Sequence, residues 1–126
     1  MDIMKTKSTI AVFENDSLNR FIYQRMLALQ EEKVVFYIFT SPEEGLEAAK
    51  QVSFDIAFID LHFQGERKGI ELAKKLKIVS DKTVMVGMTT LIQKGDTELT
   101  AEAGFVACLE KPLPFYDIDV LLNEIG

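Results

Sequence analysis

The chain has 126 residues, 48% of them apolar and 27% charged, with a net charge of −6. That length and balance suit one compact folded domain rather than a disordered segment, and the acidic excess argues against direct nucleic-acid binding, which needs a cationic surface. One Cys and one His exclude an intrachain disulfide and leave too few ligands for a Cys/His zinc site.

In chain order, Ile10-Ala11-Val12-Phe13 is predicted as a buried strand. Leu18, Phe21, Ile22, Met26 and Leu29 recur at helical spacing and predict a first helix. Val34 to Phe39, β-branched and aromatic, predicts a second strand. Ser41-Pro42-Glu43-Glu44 is a helix start, with Ser as N-cap, Pro in the first turn and Glu three residues after the cap. Ile56-Ala57-Phe58-Ile59 is a third strand, and Gly69 to Ile78 a third helix carried by Ile70, Leu72, Ala73 and Leu76. Val84 to Met88 is a fourth strand. Thr97 to Ala103 is a weak helix ended by Gly104. Phe105 to Leu109 is a fifth strand and Phe115 to Ile125 a last helix.

The longest apolar run, Val34 to Phe39, is far too short to span a membrane. Met1-Asp2-Ile3-Met4-Lys5-Thr6-Lys7 lacks the apolar core of a signal peptide. A cytoplasmic location is the expectation, with residues 1–126 as a single domain.

The strands are apolar nearly throughout, as strands covered on both faces are, which predicts an α/β fold with a parallel sheet and helices on each side. In such sheets the working site lies beyond the carboxyl ends of the strands. Glu14, Asn15 and Asp16 follow the first strand, Asp60 the third, Thr89 and Thr90 the fourth, and Glu110, Lys111 and Pro112 the fifth. Acid, acid, hydroxyl and amine therefore converge on one rim.

A carboxylate can attack phosphorus and form an acyl phosphate, and Asp60 is the candidate. Repulsion between two anions opposes this, and a divalent cation held by Glu14 and Asp60 would neutralise it. Lys111 would add fixed positive charge, and the Thr89 hydroxyl a hydrogen bond to a phosphoryl oxygen. Each residue alone has a plainer role: a loop cap for Asp60, a solvated acid for Glu14, strand propensity for Thr89, and a structural ion pair for Lys111.

In this order, at the ends of strands one, three, four and five, Glu14-Asn15-Asp16, Asp60-Leu61, Thr89-Thr90 and Lys111-Pro112 resemble the receiver domain of two-component response regulators. The resemblance covers about residues 8 to 125. It implies a flavodoxin-like three-layer sandwich with strand order 2-1-3-4-5. It implies Asp60 as phosphoacceptor from a sensor histidine kinase or phosphotransfer protein, Thr89 as switch hydroxyl and Lys111 as the family lysine. It implies Mg²⁺ held by Glu14, Asn15, Asp60 and the backbone carbonyl of His62, and a cis bond between Lys111 and Pro112. It further implies a downstream protein on the face formed by strand four, helix four, strand five and helix five, with a homodimer as one form of that contact. Such a domain is a phosphoacceptor with self-catalysed chemistry only, not a turnover enzyme.

Four departures from the family pattern stand out. Asn15 occupies the place of a second acid, so weak Mg²⁺ binding is expected. The loop after Asp60 lacks the usual proline and is one residue longer. Cys108 aligns with the family's switch aromatic. The last helix is short. These features leave a second expectation open, a phosphate-independent module that retains the fold as a docking or dimerisation surface. A flavin carrier is disfavoured, because Glu14-Asn15-Asp16-Ser17 is acidic and lacks the Gly and Thr residues that hold a flavin phosphate.

Overall fold

The computed structural model describes residues 7–125. Of the start read for a signal peptide, Met1 to Lys7, residues 1–6 lie outside them. The elements alternate as β1 (Ser8–Phe13), α1 (Ser17–Ala28), β2 (Val34–Phe39), α2 (Pro42–Ala49), β3 (Ile56–Asp60), α3 (Lys68–Val79), β4 (Val84–Thr89), α4 (Asp96–Ala103), β5 (Phe105–Glu110) and α5 (Ile118–Ile125). The five strands form one parallel sheet in the order β2-β1-β3-β4-β5, as expected.

Strand periodicity divides the core in two. Ala11 and Phe13 of β1 share a face with Ala57, Ile59, Met85 and Phe105, covered by Ala49 of α2, by Ile70, Leu72, Ala73 and Leu76 of α3, and by Ala103 of α4. Ile10 and Val12 point to the other face with Phe58, Val86 and Met88, covered by Tyr23 and Leu27 of α1 and by Ile118 and Leu121 of α5. Side chains alternate across each strand while both faces are buried. That is why the strands read as continuous apolar runs.

Three sequence expectations shift. On α1 the buried residues are Tyr23 and Leu27, whereas Leu18 and Phe21 are 64% and 60% exposed and Leu29, the C-cap just past its end, is 77% exposed. The helix carries two apolar stripes and only one meets the sheet. The guanidinium of Arg25 lies 5.7 Å from the centre of the exposed Phe21 ring, a cation–π contact. The last helix starts at Ile118, not Phe115. Phe115 is fully buried in the preceding loop and meets Tyr23 and Phe58 edge-on at 4.8 and 5.0 Å. The fourth helix includes Asp96 and ends at Gly104, whose φ of 99° is the left-handed stop expected.

The N-cap of α2 forms as predicted: Ser41 Oγ accepts from the Glu44 N–H at 3.3 Å, with Pro42 first in the helix. The β4–β5 ladder carries one irregularity. Met85 pairs with Phe105 but Val86 pairs with Ala107, so Val106 is left unmatched and bulges.

Candidate functional site

The site is built at the carboxyl edge of β1, β3, β4 and β5. Register places it: Asp60 pairs with Met88, and Thr89, one residue on, pairs with Glu110. Lys111 follows at once, and its N–H donates to the Thr89 carbonyl at 2.7 Å. The Lys111-Pro112 peptide is cis, as the resemblance implied.

Lys111 Nζ donates to Asp60 Oδ2 at 2.5 Å and to Glu14 Oε1 at 2.6 Å. All three side chains are largely withdrawn from water: Lys111 is 8%, Glu14 1% and Asp60 14% exposed. Burial pushes the Glu14 carboxyl above its ordinary range, against the opposing pull of Lys111. Burial acts to lower the Lys111 pKa, but hydrogen bonds to Asp60 and Glu14, with their charges, outweigh it and the amine is held above its usual value. The cluster is therefore a buried amine stabilised by two acids.

The remaining Asp60 oxygen, Oδ1, accepts from the His62 N–H at 2.8 Å. The His62 carbonyl accepts from Gly65 N–H at 3.0 Å, closing a turn in the β3–α3 loop. Thr89 is 1% exposed, and its hydroxyl donates to the Leu91 carbonyl at 3.2 Å. Thr89 thus stands on the same rim with its hydroxyl parked on its own loop.

Asn15 is exposed and turned to the loops. Its Oδ1 accepts from the Gln64 N–H at 2.6 Å, and its Nδ2 donates to the Thr40 carbonyl at 3.4 Å. Gln64 Nε2 also reaches the Thr40 carbonyl, at 2.8 Å. Arg20 donates to the Asn15 carbonyl, tying the loop after β1 to α1. Cys108 pairs with Gly87 on β4, and its thiol packs into the core half that α2, α3 and α4 cover. Burial pushes the thiol up to about 11.

Sequence reasoning did not anticipate how the β3–α3 loop is held. Gln64 and Arg67 take positive φ, 69° and 57°, a left-handed backbone that costs a non-glycine residue about 1–2 kcal/mol. The Arg67 N–H donates to His62 Nδ1 at 3.0 Å. Its guanidinium donates to Asp96 Oδ1 at 3.0 Å and to the Lys94 carbonyl at 3.4 Å. No local spacing in the sequence signals a pairing 29 residues apart.

A family model described as "Response regulator receiver domain" matches residues 10–123. The chain belongs to this family. The receiver also resembles solved structures across the whole fold. A response regulator from Thermotoga maritima is 15% identical with a TM-score of 0.78, over 95% of this chain and 98% of the other. A CheY-like receiver domain protein from Methanospirillum hungatei JF-1 is 20% identical with a TM-score of 0.78, over 94% and 93%. A Burkholderia pseudomallei response regulator, crystallised with a phosphorylated aspartic acid, calcium ion and citrate, is 16% identical with a TM-score of 0.78, over 95% and 67%. No curated protein matches.

The receiver's donor set fits a divalent cation in kind. Glu14, Asp60 and the His62 carbonyl offer the hard oxygens that Mg²⁺ takes. In charge the set is lean. Asn15 adds none, and Lys111 already engages both carboxylates. Among the described residues, no cluster of three or more His, Cys, Asp or Glu side chains stands ready to hold a metal. No helix among them is long and apolar enough to cross a membrane.

Proposed function

We propose that this receiver takes a phosphoryl group onto Asp60 from a sensor histidine kinase or a phosphotransfer protein, and that the loaded site switches the binding of a downstream protein. The observation that carries this is the Lys111 amine held between Asp60 and Glu14 on a shielded rim. A scaffold has no need of an amine buried with two acids, because removing water from charges is costly.

In the step itself a carboxylate oxygen of Asp60 bonds to phosphorus as the phosphorus–nitrogen bond of a phosphohistidine breaks, and the imidazole leaves with the electron pair. The His62 N–H and Lys111 hold the two Asp60 oxygens and orient the carboxylate. Lys111 then faces the phosphoryl oxygens, and the Thr89 hydroxyl exchanges the Leu91 carbonyl for one of them. Mg²⁺, when bound, supplies charge neutralisation, with Glu14, Asp60 and the His62 carbonyl as holders and Asn15 as the neutral member of the set. The chemistry is self-catalysed phosphorylation and dephosphorylation, in the cytoplasm.

The downstream partner docks on the face formed by β4, α4, β5 and α5. Leu91, Ile92, Val106, Tyr116 and Val120 are exposed there, and a second copy of the chain is one such occupant. Incubation with acetyl phosphate and Mg²⁺ tests the assignment. Intact mass is expected to show one phosphoryl adduct on the native chain and none on Asp60→Asn. An adduct of equal yield on Asp60→Asn overturns it.

One observation favours a second function. Asn15 Oδ1 is engaged with the Gln64 N–H, as suits a phosphate-independent interaction module with no metal chemistry. The same incubation separates the two, because that module stays unlabelled.

A further inference from the structure

The β3–α3 loop is clasped on both flanks. On one side Gln64 is held by Asn15 and Thr40. On the other, Arg67 reaches across to α4. Its partner Asp96 is fully buried at the first turn of α4, and the second carboxylate oxygen accepts from the Gln93 N–H at 2.7 Å. Both Asp96 oxygens are therefore occupied, one by its own loop and one by a residue of the phosphoacceptor loop. Among the described residues Arg67 is the one cation paired with Asp96, and a buried carboxylate depends strongly on such a partner.

The clasp connects directly to Asp60. Asp60 Oδ1 binds the His62 N–H, His62 Nδ1 binds the Arg67 N–H, and the Arg67 guanidinium binds Asp96. Both oxygens of the Asp60 carboxylate are already engaged, one by His62 and one by Lys111. A phosphoryl group bonded to either turns a charged carboxylate acceptor into the weak bridging oxygen of an acyl phosphate, so one donor must move. Arg67 is poised to respond. Its backbone is left-handed, and its Nε is buried with no hydrogen-bond partner, leaving a donor to engage when the loop shifts. Cys108, by contrast, is a compact thiol packed in the core, with no ring to swing.

We infer that Arg67 and Asp96 form a coupling clasp that carries the state of Asp60 through the β3–α3 loop to the start of α4. This rests on Asp60 being the phosphoacceptor, as proposed above. Arg67 acts through His62 and Asp96 and is a positioning residue, not a catalytic one.

Amide hydrogen exchange of 97–103 tests the inference, read on samples whose acetyl phosphate adduct is quantified by intact mass. In the native chain the adduct is expected to change exchange in this segment by about fivefold or more. In Arg67→Gln the adduct should still form but the exchange response should fall below about twofold. Arg67→Lys keeps a cation beside the buried carboxylate. It is expected to stay folded, which circular dichroism checks, and to show a response between the two. A native-sized response in adduct-bearing Arg67→Gln, or in folded Arg67→Lys and Asp96→Asn together, overturns the clasp. Absence of any adduct on the native chain removes the phosphoacceptor assignment and the clasp with it, a failure distinct from an adduct that moves α4 without Arg67.

Discussion

A β-carbon placed on Gly69 would lie 2.0 Å from the carbonyl oxygen of Asp60. The second residue of α3 is thus pressed against the backbone of the proposed phosphoacceptor, and the Gly69 N–H donates to the neighbouring Leu61 carbonyl at 2.9 Å. The helix can start here only because the side chain is a hydrogen.

Gly69→Ala is expected to lower stability by about 3 kcal/mol or more, at or beyond the upper end of ordinary overpacking, because the obstacle is backbone rather than a flexible side chain. Urea unfolding followed by circular dichroism measures it. An unchanged midpoint would show that α3 slides away from β3 at little cost.

Glu14 ties stability to pH. Its carboxyl is raised above its ordinary value of 4.5, chiefly by burial. In the window from 4.5 up to its folded value, the native state holds a proton that the unfolded chain has released. Stability from this group is therefore full below the window and falls as pH rises through it. Glu14→Gln removes that fall. Its stability relative to the native chain should move in the variant's favour as urea melts are repeated from about pH 4 to pH 7. A difference that moves the other way would show that Lys111 controls Glu14 more strongly than burial does.

Asn15→Asp adds the missing charge next in the chain to Glu14, on the rim that also carries Asp60. The new carboxylate still accepts from the Gln64 N–H; it loses the Nδ2 donor to the Thr40 carbonyl, which Gln64 Nε2 continues to hold. Mg²⁺ should bind about tenfold more tightly, ~1.4 kcal/mol, by calorimetric titration. Equal affinity in both chains would mean that Asn15 does not govern the cation.

Cys108 should be slow to alkylate. With its thiol at about 11, about one molecule in a thousand is thiolate at pH 8. Iodoacetamide is expected to react about 100-fold more slowly with the folded chain than with the urea-unfolded one. Comparable rates would show a thiol open to solvent.

The layers of the fold were legible because each strand is bounded by turn residues and each helix core face repeats at helical spacing. Asp60, Lys111, Glu14 and Thr89 were legible for a geometric reason: a parallel sheet gathers the last residues of its strands and those just past them at one edge. Solvent exposure on α1 was not. Leu18 and Phe21 have the same spacing as core residues, and only the docked sheet shows which stripe is covered. The place of Asn15 was legible and its bond to Gln64 was not, because it depends on the path of a loop nearly 50 residues away. The same holds for Arg67 and Asp96, whose meeting requires two loops to fold over the same rim.

The unmatched Val106 lies on β5, the outermost strand on its side of the sheet. Continuous, flat margins invite foreign strands to add on, and an irregular one discourages this. Another polypeptide approaching from that flank meets a kinked backbone and a 56% exposed valine. Recognition there must run through side chains, and those can be tuned to a partner without extending the sheet toward aggregation.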